Sequence, residues 1–365
     1  MAEGKGEEKK KPIVAFLGPK ASYTHQATLD AFNEDSFTLS PQITIEDVFS
    51  AVQSGTAYRG VVPFENSSNG SVVFTLDLFA DLQNKYPDIL VCGESYIAVQ
   101  HCLLGHQPHS ASASASASLA ERGGGPHGLA SVIESPLSSG AVTPTTKEPA
   151  PKKPTARPIA DLSRVKKIYS HPQAWGQCKA FLNTYLKGIE RQDVSSTSRA
   201  AELVAQDGTG STAAISSFVA ARIHGLDVLA KAIEDRSDNT TRFFILRNAT
   251  TSASSPPSPD PAASGEAAAA NHENWKTLVS FTVDHNNPGA LAHSLAVFER
   301  YELNLTSINT RPSGMQNWNY IFFVEIKGRK LEGSEEGAVN KALRDLDGVC
   351  RGWRWLGSWE NRLAR

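Results

Sequence analysis

The chain has 365 residues and a formal net charge of -2, with 40% hydrophobic and 20% charged side chains, the balance of a soluble globular protein of two or three domains. Near-neutral charge gives no electrostatic reason to expect nucleic acid or an anionic membrane as partner, so any basic character useful for an anionic ligand must be local. No apolar run approaches the roughly 18 residues needed to span a bilayer, and MAEGKGEEKKKP at the start lacks the apolar centre of a signal peptide, which makes the cytoplasm the expected compartment.

In chain order, PIVAFLG is an apolar strand ending in Gly18, followed by a helical pattern from Ser22 to Phe32. Ile43 to Val52 reads as a second helix with Thr44 as its N-cap. GVVPFEN is a short strand, Ser71 to Leu82 carries apolar residues at helical spacing, and ESYIAVQHCLLG is a longer strand with partial alternation. Residues 107–157 are rich in Ser, Ala, Gly and Pro and poor in large apolar side chains, so they are expected to be a disordered insert. A second block then repeats the theme. KKIYS is a strand, 172–186 a helix, Asp193 and Val194 mark a strand, and a helix runs from Ser198 to Ala205. TAAIS is a strand, SFVAARIHG a helix closed by Gly225, and TRFFIL the last strand. Such alternation predicts two α/β lobes with predominantly parallel sheets, whose ligands bind beyond the carboxyl ends of strands. Residues 248–274 read as a flexible linker. From 275 to 360 the order is β-α-β-β-α-β, a ferredoxin-like α+β module of regulatory type.

Polar clusters recur where strands end: LGPKASYTHQA, VPFENSSNGSV, YSHPQAWGQC, VSSTSRAAEL and DNTTRF. Each alone is an ordinary helix cap or turn, and Ser22, Ser71 and Ser198 are read as caps. Together they suggest a hydroxyl-rich pocket for a small carboxylate, with Arg242 as its fixed cation. There is no phosphate-binding lysine loop, no GxGxxG after a strand and no GxSxG elbow. The cysteines Cys92, Cys102, Cys178 and Cys350 form no CxxC pair, and His106 and His109 have no carboxylate or thiol nearby in sequence. Neither a metal nor a cofactor is expected.

These strings go further than composition allows. VPFENSSNGSV resembles the Pro-x-Glu-Asn-Ser-x-x-Gly-x-Val loop of the prephenate dehydratases, SHPQAWGQC resembles their Ser-His-Pro-Gln-Ala-x-x-Gln-Cys segment, and TRF their signature threonine motif. The chain is similar to fungal-like members of that family over 12–247, and to an ACT regulatory domain over 275–360. The resemblance implies a two-lobed fold like that of periplasmic binding proteins. It also implies the conversion of prephenate to phenylpyruvate in phenylalanine biosynthesis. Thr241 is then the catalytic hydroxyl, and Asn66, Ser67, Ser170, Gln177 and Arg242 contact the substrate. Two departures stand out. Ala21 occupies the place of a glycine in the first loop, and Asn309 precedes Thr310, Arg311 and Pro312 where a glutamate is usual. With Gly289, Ala290 and Leu291, the residues Thr310, Arg311 and Pro312 are the expected phenylalanine contacts. The ACT domains are expected to pair, giving a homo-oligomer such as a homodimer. Arogenate in place of prephenate, or a non-catalytic amino-acid sensor on the same scaffold, are the alternatives.

Overall fold

The computed structural model describes residues 11–107, 153–250 and 274–363. Its first stretch contains β1 (Ile13–Leu17), α1 (Tyr23–Ala31), β2 (Thr38–Gln42), α2 (Ile45–Gln53), β3 (Arg59–Asn66), β4 (Gly70–Ser71), α3 (Val73–Ala80), β5 (Ile89–Ala98) and β6 (Cys102–Gly105). Then follow β7 (Lys167–Ser170), α4 (Pro172–Gln177), α5 (Lys179–Tyr185), β8 (Glu190–Asp193), α6 (Thr197–Gln206), β9 (Thr212–Ser216), α7 (Phe218–His224) and β10 (Asp227–Ala230). The chain continues with β11 (Thr240–Asn248), β12 (Trp275–Thr282), α8 (Ala290–Arg300), β13 (Leu305–Pro312), β14 (Tyr320–Lys327), α9 (Ala338–Asp347) and β15 (Gly352–Glu360).

Local chemistry sets most helix starts. The Thr44 hydroxyl accepts from the Asp47 N–H while the Asp47 carboxylate accepts from the Thr44 N–H, a reciprocal capping box on α2. Ser22 caps α1, Ser217 caps α7, and His171 caps α4 with Pro172 at its first position. Gly225 closes α7 with a left-handed φ of 63°, a conformation that costs glycine little. Two expected caps lie elsewhere. Ser71 belongs to β4, and α3 begins after Val72 with no side-chain cap. Ser198 is inside α6, which is capped by Ser196 two residues earlier. Ala21 adopts φ 69°, so the first loop keeps its left-handed turn without glycine, and the Ala21 N–H donates to His25 Nδ1 at 3.1 Å.

Two compact units result. One takes the described residues up to Ala98 and those from Asn239 onward, and the other runs from Val99 to Asp238. The stretch ESYIAVQHCLLG, read as one strand, is therefore two. β5 joins the sheet of the first unit, β6 that of the second, and the chain turns between them at Gln100 and His101. β11 likewise returns to the first unit.

In the first unit the strand order is β13-β14-β12-β15-β5-β11-β3-β1-β2, with β4 paired to β3. β1 is parallel to β2 and β3, whereas β11 is antiparallel to both β3 and β5. In the second unit the order is β10-β6-β9-β7-β8, parallel across β9-β7-β8 and antiparallel at β6 and β10. The sheets are mixed rather than mainly parallel because β6 and β11 are reached from the other unit instead of through a crossover helix on their own sheet.

The segment from β12 to β15 has the expected βαββαβ order and antiparallel pairing. Helices α8 and α9 cover one sheet face through Val279, Phe281, Val297, Phe298 and Leu343. The opposite face, with Leu278, Ile321, Phe323, Leu356 and Trp359, shares one core with Val48, Phe49, Phe79 and Phe244 of the α/β part. Trp359 meets Phe244 edge to face at 5.1 Å. This C-terminal module is thus fused to its neighbour by a common core as well as by a seam between β15 and β5. Among the described residues no helix is long and apolar enough to cross a membrane. The expected disorder over 107–157 and 248–274 falls almost wholly on residues outside the described ones.

At that seam Gly357 pairs with Val91 at φ 127°, and a β-carbon there would lie 2.0 Å from the Val91 carbonyl oxygen. Backbone cannot yield as a side-chain tip does, so Gly357→Ala is expected to destabilise the protein by about 3 kcal/mol. Gly208, whose added β-carbon meets nothing within 4 Å, is the control, with an expected change within about 0.5 kcal/mol. Urea unfolding of the two variants checks this.

Candidate active site

In the first unit β3 and β11 run antiparallel, and the pairing sets Asn66 directly opposite Thr241. The Asn66 amide nitrogen donates to the Thr241 hydroxyl at 2.9 Å and to Asn239 Oδ1 at 2.8 Å. Its own oxygen accepts the N–H groups of Ser68 and Asn69, each at 3.0 Å. Those two backbone donors fix which end of the amide faces Thr241. The Thr241 oxygen therefore receives a hydrogen bond and keeps its proton to give. Accepting such a bond also polarises the hydroxyl and makes it a better donor. Ser67 locks the same corner, since its N–H donates to the Thr240 carbonyl and its hydroxyl accepts the Thr240 N–H, both at 2.9 Å. Sequence reading missed Asn239, whose only signal was its place one residue before the threonine pair.

Arg242 has partners other than the expected substrate carboxylate. It is buried, Nε donates to Glu94 at 2.9 Å, and the guanidinium also bonds to Glu325. Lys276, likewise buried, lies 3.4 Å from Glu94 and 3.5 Å from Glu325, so two cations and two carboxylates neutralise one another. The ring faces of Phe244, Phe64, Tyr96 and Trp359 surround the guanidinium at 4.9–5.9 Å. Burial pushes the Glu94 carboxyl up, but Arg242 and Lys276 outweigh it and hold the group below the usual range. Burial works against the Arg242 charge in the same way, and Glu325 and Glu94 reverse it. Glu65 contributes weakly, 3.9 Å away and half exposed.

The second unit carries the other expected residues. Ser170 ends β7, is fully buried, and donates its hydroxyl to the Ile215 carbonyl at 3.0 Å. Gln177 is the last residue of α4, and its side-chain oxygen lies 2.7 Å from His101 Nε2. Burial lowers the His101 pKa. In the tautomer that carries its proton on Nε2 the ring donates to that oxygen, which leaves the Gln177 amide nitrogen facing away from His101. His101 had no signal in the sequence beyond lying in an apolar run.

Of the expected effector residues, Gly289 caps α8 with a left-handed φ of 83°, Ala290 is buried and Leu291 half-buried. Thr310 and Pro312 are exposed on β13, whereas Arg311 pairs with Asp77 of α3 at 2.5 Å. Asn309 accepts from the Ser71 hydroxyl at 2.6 Å.

Two mixed α/β units, one of them bearing a fused βαββαβ module, define the fold class. Within it, a family model for prephenate dehydratase matches residues 14–116 and 154–251. The bifunctional chorismate mutase/prephenate dehydratase of Aquifex aeolicus is 32% identical, over 98% of this chain and 75% of that protein. A probable prephenate dehydratase of Saccharomyces cerevisiae is 29% identical, over 95% of both. The crystal structure of the Arthrobacter aurescens prephenate dehydratase in complex with L-Phe superimposes with a TM-score of 0.67 at 24% identity, covering 96% of this chain and 90% of that one. The chain belongs to the prephenate dehydratase family.

The two buried imidazoles set a pH dependence. Burial lowers both His25 and His101 from 6.5, so below about pH 6.5 the unfolded chain takes up protons that the folded chain refuses. Stability is then lost as pH falls from 6.5 toward the lower folded values. Each histidine contributes up to about 1.4 kcal/mol between pH 7.5 and 5.5. His101→Gln is expected to shrink the difference in urea-unfolding free energy between those two pH values, by no more than that amount.

Proposed function

We propose that the chain catalyses the decarboxylative dehydration of prephenate to phenylpyruvate, with Thr241 as the hydrogen-bond donor to the departing 4-hydroxyl. The observation that carries this is the Asn66–Thr241 bond, whose polarity leaves the threonine proton to be donated. In the reaction the bond between the ring and its carboxylate breaks and carbon dioxide leaves. The electron pair enters the ring, which becomes aromatic, and the hydroxyl on the opposite carbon departs and is protonated to water. Aromatisation supplies the drive, so the enzyme has to orient the substrate and assist cleavage of the C–O bond. A placed donor of this kind is typically worth about 10²–10³ in rate, and orientation adds to it.

Asn66, Ser67, Ser170 and Gln177 are the proposed substrate contacts. The oriented amide of Gln177 and the polarised hydroxyl of Thr241 suit a substrate rich in carboxylate and carbonyl oxygens. No cofactor is required by this chemistry. The family membership favours prephenate, and assaying prephenate and arogenate side by side separates the two substrates. The proposed compartment is the cytoplasm.

We infer also that the module over 275–360 is an ACT domain that binds phenylalanine through Gly289–Leu291 and Thr310–Pro312, with pairing of modules producing a homo-oligomer. Support comes from the βαββαβ order and the left-handed Gly289 cap. The contact between Asn309 and Ser71 is a direct link to the hairpin that holds Asn66, and Arg311 reaches Asp77 of the following helix α3.

Thr241→Val deletes the hydroxyl and keeps the shape. It is expected to lower kcat at least about 100-fold, measured by the ultraviolet appearance of phenylpyruvate. Asn66→Asp, which offers Thr241 an acceptor instead of a donor, is expected to fall similarly because the threonine proton then points at the carboxylate. A variant of either kind that keeps half the wild-type kcat sinks the assignment.

Phenylalanine at millimolar concentration is expected to inhibit the full chain, with tyrosine much weaker, and Gly289→Asp is expected to abolish the effect. Inhibition that survives the substitution places the effector elsewhere.

A further inference from the structure

The sequence offered Arg242 to the substrate, but its geometry points in another direction. The residue follows Thr241 on β11 and pairs with Tyr96 of β5. Its guanidinium reaches across the shared core to Glu325 of β14, a strand of the C-terminal module. Glu325 is nearly inaccessible, and its other oxygen accepts from the Thr306 hydroxyl of β13 at 2.6 Å. Glu94 of β5 completes the lock. It bonds Arg242 through Oε2, lies 3.4 Å from Lys276 of β12, and accepts the Arg362 N–H at 2.9 Å. The Tyr96 hydroxyl bridges the two halves, accepting from Lys276 at 3.1 Å and donating to Glu94 at 3.2 Å. Arg242, Glu94, Lys276 and Glu325 all sit on strands of one sheet, and each is held by at least two partners.

We propose that Arg242 is a positioning residue, and that the buried Arg242–Glu325 pair makes the C-terminal module part of the catalytic apparatus by setting the place of Thr241. The inference rests on the dehydratase reading above. Charges removed from water are held where their partners are, because a displaced carboxylate would leave a buried cation unmatched. A shift of β14 therefore has to be followed by the Arg242 side chain and by the strand that carries it. The adjacent hydroxyl is aligned through one hydrogen bond to Asn66, and a displacement of about 1 Å at such a donor costs on the order of 100-fold in rate. A guanidinium acting on Thr241 and one binding a substrate carboxylate have different kinetic signatures. The first alters kcat, and the second alters KM.

The test is steady-state kinetics on the full chain with prephenate, comparing wild type, Glu325→Gln and Arg242→Lys, each also in a Thr241→Val background. Glu325→Gln keeps shape and removes one charge. It is expected to lower kcat about tenfold with KM within twofold, and Arg242→Lys to do the same or more. In the Thr241→Val background neither substitution is expected to lower the residual rate further, since the hydroxyl they position is gone. General loss of structure would lower both backgrounds alike. A tenfold rise in KM with kcat preserved in Arg242→Lys overturns the proposal and returns the residue to the substrate. Equal losses in both backgrounds, or an unchanged kcat in Glu325→Gln, overturn it too. If Glu325→Gln does not fold, Thr306→Val removes the hydroxyl that bonds to the Glu325 carboxylate and carbonyl, and no charge. An unchanged kcat there, or one lowered equally without Thr241, overturns the proposal as well. A wild-type chain inactive on prephenate would instead overturn the dehydratase reading, which is seen before any variant is compared.

Discussion

Four buried charges hold the first unit together. Arg242 and Lys276 face Glu94 and Glu325, all from strands of one sheet, and all nearly out of reach of water. Taking ions out of water costs several kcal/mol each, and only mutual attraction with further hydrogen bonds offsets it. Here the bonds are present, from Tyr96, Thr306 and the Arg362 N–H. Hydrophobic side chains of similar volume could serve stability as well. The ion pairs add to the register that the apolar pattern sets, because a slip would leave a buried charge unmatched. The cluster fixes β11 against β5 and both against the C-terminal module. The aromatic core around Phe244 and Trp359 then fills the space that remains.

The corner around Thr241 depends on polarity rather than charge. Every hydrogen bond around Thr241 has an assigned direction, because two backbone donors commit the oxygen of Asn66. Gln177 is held through its side-chain oxygen by His101. Neutral oriented donors suit a substrate that carries its own negative charge and its own driving force. A carboxylate at the same place would have to be protonated to be useful, and Glu65 is half exposed beside the guanidinium of Arg242.

Element types were legible because capping residues and apolar periodicity are local. Thr44 with Asp47, His171 with Pro172, and Gly225 each mark a boundary within a few residues. Pairing was not legible. Nothing in Val99, Gln100 and His101 breaks the chain between β5 and β6, since none of the three is Gly or Pro. The change of sheet is decided by which apolar surface each half meets. The partners of Arg242 were not legible for a related reason: they lie 83 and 148 residues away in sequence. A signal was nonetheless present. Glu325 interrupts the apolar run YIFFVEIK, and a carboxylate inside a strand covered on both faces needs a partner. Thr241 and Asn66 were reached through motif resemblance. Their direct pairing across β3 and β11 required the fold.

The departure at Asn309 has a physical logic of its own. Its oxygen accepts from Ser71 and its nitrogen donates to Ser307 at 3.1 Å. A glutamate is longer by one methylene and, when ionised, can only accept. It could take the Ser71 hydroxyl but could not direct a donor toward Ser307. The amide satisfies both neighbours without placing a charge beside Asp77, which Arg311 already neutralises. Ser71 faces Glu65 across the β3–β4 hairpin, and the next pair in that ladder is Asn66 with Gly70. β13 thus holds the hairpin by neutral bonds at its rim, while Glu325 on β14 holds β11 by a charge in the core. Two adjacent strands of one module grip the two strands that align the Thr241 hydroxyl.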